Sequence, residues 1–223
     1  MEGREFREPL SIVQRGRFIT IEGGEGAGKS TQVRRLASRL SVLVGAPVLT
    51  REPGGSPGAE ALRGLLVNGD ADRWSPLAET LILFAARDDH LRRTIRPALA
   101  AGQWVLCDRF CDSTRAYQGA AGGTDLNVIR ALEQAVIGDT LPDLTLIMDL
   151  SPQAGLDRAA GRGGGEARFE SKGIAFHARL REGFLDIARA EPDRCVVIDA
   201  GGGPDAVEAL IWAAVSDRLA GHL

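Results

Sequence analysis

Gly23, four residues, then Gly28-Lys29-Ser30 is the spacing in this chain with the plainest chemical meaning. Glycines at both ends of such a run let successive backbone N–H groups turn inward and form a nest for an anion. Lys29 adds a cation that reaches the outer phosphates of a nucleotide, and the Ser30 hydroxyl is an oxygen ligand for Mg2+. The run Arg17-Phe18-Ile19-Thr20-Ile21 before it is β-branched and aromatic and reads as a buried strand. After it, Val33, Leu36, Ala37 and Leu40 recur at helical spacing. Strand, glycine loop and helix is the context a phosphate loop needs. The start of the helix contributes unpaired N–H groups and partial positive charge. The expected ATP contacts are Gly23, Gly24, Glu25, Gly26, Ala27, Gly28, Lys29, Ser30 and Thr31.

Further chemistry-bearing residues stand beside other apolar runs. Arg51-Glu52-Pro53-Gly54-Gly55 follows one, and Asp108-Arg109-Phe110 follows another. Asp108 ends its run as a second acidic residue of a metal site does, so Ser30 and Asp108 are the metal candidates. A glycine-rich patch, Gly161-Arg162-Gly163-Gly164-Gly165, lies between Arg158 and Arg168.

The elements that position these groups follow from periodicity. Runs at 18–21, 47–50, 104–107, 144–150 and 195–198 predict five strands. Most are unbroken and apolar, as in strands covered on both faces. Helical patterns fill 29–43, 58–68, 75–100, 125–137, 153–160, 170–190 and 204–220. The alternation predicts a three-layer α/β/α fold around a five-stranded parallel sheet. Ligands of such open sheets bind beyond the C-terminal strand ends, where the arginines gather.

Composition narrows the class. Residues 16–223 suit one domain, with 1–15 a loosely ordered extension. A net charge of −3 gives no footprint for nucleic acid. The charged N-terminus is not a secretory signal, and no stretch of apolar residues is long enough to span a membrane. A cytoplasmic protein is expected. Lys29 and Lys172 are the only lysines among 27 basic residues, so any single arginine carries less weight. Cys107, Cys111 and Cys195 have neither the number nor the spacing of a disulfide framework or zinc site.

The guanine-reading Asn-Lys-x-Asp is absent, which argues against a GTPase, and three arginine-bearing segments at one sheet edge exceed what ATP needs. The chain resembles the bacterial thymidylate kinases from about Arg17 to Asp199. The resemblance rests on "FITIEGGEGAGKSTQ", "TREPGGSPGAEALRGLL", "ETLILFAARDDHL", "GQWVLCDRFCDSTRAYQGA", "LPDLTLIMDL" and "ARFESKGIAFHARLREGFLDIA". It implies the P-loop NTPase fold with a helical lid at about 156–170. The implied reaction is transfer of the γ-phosphoryl of ATP to dTMP, with Mg2+ as cofactor, in a homodimer. The alternatives are another nucleoside or nucleoside monophosphate kinase, or a regulatory P-loop ATPase that would ignore dTMP.

For the acceptor, Arg109 is placed to grip its phosphate bidentately, with Arg51 as second contact. The plain alternative for Arg51 is a surface pair with Glu52. The resemblance implies that Phe84 stacks on thymine and Arg87, on the same helix face, donates to a pyrimidine carbonyl. The alternative for Phe84 is a core position. Gln118 suits the base edge. The resemblance puts Tyr117 against the sugar, Ser113 near the base, and Glu25 on the sugar 3′-hydroxyl. Gly26 stands where some members of the family carry an arginine. The catalytic charge is therefore expected from the lid, through Arg158, Arg162 or Arg168, acting with Lys29, Glu25 and Arg109. The alternative is a solvated basic loop.

Overall fold

The computed structural model describes residues 14–70, 73–161 and 172–223. Arg162 and Arg168, most of the expected lid and residues 1–13 lie outside these. Arg15 is paired with Asp143 at 3.1 Å, and the Gly16 N–H donates to Leu99 O at 2.9 Å. The chain is therefore anchored to the domain from Arg15 onward.

Five parallel strands form one sheet in the order β2-β3-β1-β4-β5. They are β1 (Phe18–Gly23), β2 (Val48–Arg51), β3 (Val105–Asp108), β4 (Leu144–Asp149) and β5 (Cys195–Asp199). Each differs from its sequence expectation by at most two residues at either end. The order reverses beside β1, so the crevice beyond its C-terminal end is a topological switch point.

Alternation along β1 distributes the two layers. Ile19 and Ile21 face α1 (Lys29–Leu43) and the last long helix, Pro204–Leu219, through Val33, Leu36, Leu40, Val207 and Ile211. Phe18 faces the opposite layer, built on α3 (Pro76–His90) and α6 (Leu126–Val136), where Phe84, Leu91, Ile95 and Ile129 pack with Phe110. Between these helices in chain order lie α2 (Pro57–Val67), α4 (Arg96–Ala100) and α5 (Cys111–Thr114). Two more, α7 (Pro152–Ala160) and α8 (Ile174–Ala190), precede α9 (Pro204–Leu219).

The pattern over 75–100 reads as one helix, but the structure divides it. A π-turn at Leu91–Ile95 separates α3 from α4, and the Arg96 N–H reaches back to Leu91 O. Pro97 has no N–H to continue an α ladder, and a widened turn absorbs the loss. A second π segment, Arg115–Ala121, continues α5, and sequence periodicity gave no sign of either. Cys111 to Gly123 is rich in small residues and has no apolar stripe for a 3.6-residue period to reveal.

Candidate functional site

The loop between β1 and α1 is held open by its glycines. Gly26 and Gly28 have φ of 69° and 87°, a region costly for side chains with a Cβ. Lys29 lies along this loop, its Nζ donating to Gly23 O at 3.1 Å and Gly24 O at 2.7 Å. Burial, then the nearby Arg109 charge, pushes its pKa down to about 8. Ser30 Oγ donates to Asp108 Oδ2 at 2.7 Å, which brings the two metal candidates together across β1 and β3. A hydroxyl and a carboxylate at one point are hard oxygen donors, and Mg2+ characteristically takes one or two such ligands plus phosphate and water. No cluster of three or more metal-ligating side chains exists among the described residues.

Two of the cavities beside the loop bear on its chemistry. The donor-side cavity, about 540 Å3, is lined by Gly26, Ala27, Gly28, Thr31, Gln32, Arg158 and the loop after β5. Gln32 was not singled out from sequence. Its Nε2 donates to Pro204 O at 2.9 Å, and its Oε1 is buried with no partner among the described residues. Arg158 donates to Ala200 O at 2.9 Å and Gly201 O at 3.0 Å. It thus clamps the loop after β5 while lining the donor-side cavity together with the phosphate loop.

The second cleft lies on the other side, between α2, α3 and α5. Glu25, Arg87, Arg109, Ser113, Tyr117 and Gln118 all line it, as do Glu52, Leu83, Phe110 and Thr114. Arg109 sits at the seam between cleft and loop. Its Nη1 donates to Gly23 O at 2.9 Å and its Nη2 to Glu25 Oε1 at 3.0 Å. Its backbone is left-handed, with φ 70°, a strained geometry for a non-glycine residue that is held by its N–H bond to Ile21 O. Tyr117 OH also donates to Glu25 Oε1, at 2.6 Å. Burial would raise the Glu25 pKa, but Arg109 and then Lys29 outweigh it and hold the carboxyl at about 2.

The other expected residues are placed as follows. Ser113 Oγ donates to Glu22 Oε2 at 2.6 Å, and the Phe110 N–H donates to Glu22 Oε1 at 2.7 Å. Glu22 is fully buried, and burial followed by the Asp112 charge pushes its carboxyl pKa up. It is a support of the Arg109 turn that sequence reading missed. Phe84 is a core residue, 2 % exposed, outside the cleft lining, and Leu83 beside it is the residue on the cleft wall. Leu83 is one helical turn from Arg87, so an i, i+4 pair, not an i, i+3 pair, shares the face. Arg51 does not line the cleft and pairs with Glu60 at 3.0 Å. The alternative Arg51–Glu52 pair does not form, because Glu52 turns inward to Arg87.

Arg87 is 2 % exposed. Its Nε donates to Glu52 Oε2 at 2.8 Å, and its Nη2 donates to Phe110 O at 3.1 Å and Thr114 Oγ1 at 3.0 Å. His90 Nδ1 lies 3.0 Å from Glu52 Oε1. Burial alone would raise the Glu52 pKa, but Arg87 and His90 hold it below the usual carboxylate range. Arg87 Nη1 is buried and has no partner among the described residues. Gln118 Nε2 donates to Glu79 Oε1 at 2.7 Å. Glu22 and Glu79 share one weak sequence signal, an acid inside a mostly apolar or helical stretch, whereas Glu52 stands in the Arg51–Gly55 loop and has none.

A phosphate loop at the switch point of a parallel sheet, with a second polar cleft across the loop, defines a P-loop phosphotransferase. The comparisons with known proteins make this specific. The family model "Thymidylate kinase" matches residues 21–211. A thymidylate kinase of Caulobacter vibrioides is 64% identical over 204 residues, 92% of this chain and 98% of that relative. One of Bradyrhizobium sp. (strain BTAi1) is 56% identical over 207 residues, 92% of each chain. A crystal structure of thymidylate kinase from Ehrlichia chaffeensis superposes with TM-score 0.75 at 35% identity, covering 90% of this chain and 99% of that one. The chain belongs to the thymidylate kinase family.

Proposed function

We propose that the protein transfers the γ-phosphoryl group of ATP to dTMP, giving ADP and dTDP, with Mg2+ held at Ser30 and Asp108. The observation that carries the acceptor assignment is Arg87 Nη1, a buried donor without a partner among the described residues, in a residue that lines the cleft. An unpaired guanidinium N–H below the surface is costly, and a pyrimidine carbonyl satisfies it. A base with its carbonyl on Arg87 has Leu83 and Phe110 as apolar neighbours and Gln118 at its edge. Phe84 then contributes from behind, through its ring 4.8 Å from the Arg87 guanidinium carbon.

In this reading, Glu25 stays ionised at neutral pH and accepts the sugar 3′-hydroxyl, with Tyr117 packed beside it. Arg109, reaching both the phosphate loop and the cleft, binds the acceptor phosphate and aims one oxygen at the γ-phosphorus. That oxygen forms the new P–O bond while the bond to the β–γ bridging oxygen breaks, and ADP leaves with the electron pair. Lys29 and the loop N–H groups bind the donor phosphates and stabilise their charge during transfer. Ser30 and Asp108 would hold Mg2+, which would supply further neutralisation of the donor phosphate charge. Arg51 becomes a phosphate contact by exchanging its exposed partner Glu60 for the substrate. Arg162 and Arg168, outside the described residues, are the proposed source of lid charge.

The homodimer expectation is supported by Leu77 and Leu81, 48% exposed and one turn apart on α3, with Leu65 on α2 38% exposed. Sedimentation of wild type and Leu81→Asp tests it, with a shift to monomer expected. No helix among the described residues is long and apolar enough to cross a membrane. ADP release measured with dTMP, dUMP, dCMP, AMP and thymidine tests the reaction. Release that depends on dTMP is expected, while ATP hydrolysis indifferent to dTMP leaves only a regulatory ATPase.

A further inference from the structure

Gln118 and Glu79 form a buried pair that the transfer chemistry does not require. Glu79 is 5% exposed and Gln118 3%. Glu79 lies in the first turn of α3 and outside the cleft lining, whereas Gln118 is on the cleft wall. Removing a carboxylate from water is expensive, and an apolar residue in that place would pack without the cost. One thing the carboxylate does in that place is orient the amide. A carboxylate oxygen only accepts, so the Gln118 edge 2.7 Å from Glu79 must be the nitrogen. The flipped amide would set two oxygens against each other. The backbone is fixed as well: the Thr124 N–H donates to Gln118 O at 2.8 Å, and Thr124 Oγ1 lies 3.3 Å from Thr80 Oγ1, next to Glu79. The first turn of α3 therefore fixes both the place and the polarity of Gln118.

We propose that Glu79 is a positioning residue for base selection: by holding the Gln118 nitrogen it makes the carbonyl oxygen the group offered to an acceptor base. The inference rests on the reading of the cleft as a thymidylate site. A thymine or uracil edge presents a carbonyl and, beside it, the N3–H. Arg87, which only donates, meets the carbonyl, and the fixed Gln118 oxygen meets the N–H. A cytosine edge carries an amine and a bare N3, the reverse of both. A Gln118 amide free to flip would accept either base edge and leave Arg87 alone to discriminate.

The test is steady-state kinetics of the full chain, wild type and Glu79→Gln, with dTMP and the matched pair dUMP and dCMP. A glutamine at 79 accepts or donates, so the lock on polarity is lost. We expect the KM for dTMP to rise about tenfold with kcat nearly unchanged, and the dUMP over dCMP preference to narrow by about tenfold or more. In a Gln118→Leu background, Glu79→Gln should move that preference no further. A preference unchanged in Glu79→Gln, even with lower activity or a lower melting temperature, overturns the proposal and leaves Glu79 a structural residue. If Glu79→Gln does not fold, Gln118→Asn, which draws the amide one methylene away from Glu79, carries the same expectation and the same refutation. A wild type that does not respond to dTMP overturns the cleft reading itself. A wild type that uses dTMP beside an unmoved preference overturns only the role of Glu79.

Discussion

A guanidinium sealed under the surface needs a partner for every N–H, and Arg87 meets that need with Glu52, Phe110 O and Thr114 Oγ1 on all but one nitrogen. Glu52→Gln keeps the shape and removes the balancing charge. Breaking one side of a buried pair costs about 3 kcal/mol, so the melting temperature should fall measurably. The KM for dTMP should rise while that for ATP stays, because Glu52 lies on the acceptor side only. An equal rise in both KM values would deny the separation of the two cavities. Glu25 makes a second prediction, in pH. Its pKa drops from an ordinary 4.5 to about 2 in the folded chain. Above pH 4.5 it is ionised folded or unfolded, and its contribution to stability is fully present. As pH falls below that, the unfolded chain takes up a proton that the folded chain refuses, and the contribution is lost. The difference in melting temperature between wild type and Glu25→Gln should therefore be greatest above about pH 5 and shrink toward about pH 3. A difference that grows on acidification would place Glu25 away from Arg109.

Among the elements, the strands were the easiest to foresee, because the central ones are buried along nearly their whole length and are mostly apolar. The phosphate loop was equally plain, since glycine, lysine and serine each answer a local need. The rest of the site resisted for reasons visible in particular residues. Phe84 and Leu83 are adjacent on one helix, and only the packing of Phe84 against Arg87 and the core cluster around Phe18 shows which faces the cleft. Glu22, Glu52 and Glu79 act through partners 91, 35 and 39 positions away, distances no local pattern encodes. Arg158 illustrates the same limit on α7. Its place near the glycine patch suggested a lid cation, but its side chain holds the loop after β5. Arg158→Ala should accordingly raise the KM for ATP several-fold and leave kcat near normal, as loss of a ground-state contact does. A large fall in kcat at unchanged KM would return Arg158 to the transferring phosphate.

On the scale of the whole molecule, the sheet edge sorts the substrates. The donor cavity and the acceptor cleft open on opposite sides of one loop, and Arg109 stands between them. The loop is also pressed from a third direction. A Cβ built on Gly26 would lie 2.0 Å from Gly155 O, and one on Gly155 would lie 2.5 Å from Glu25 O. Helix α7 thus meets the phosphate loop backbone to backbone, with no space for any side chain. Gly26→Arg should lower the melting temperature and abolish ATP binding in a titration, and an intact, ATP-binding variant would refute the contact. The contact also constrains descent. A side chain cannot enter position 26 by a single substitution with α7 in place, because its Cβ collides with Gly155. Helix α7 must retreat first, and that retreat confers nothing while position 26 is still glycine. Positions 26 and 155 should therefore be non-additive, with a substitution at 26 tolerated only where α7 has already moved away.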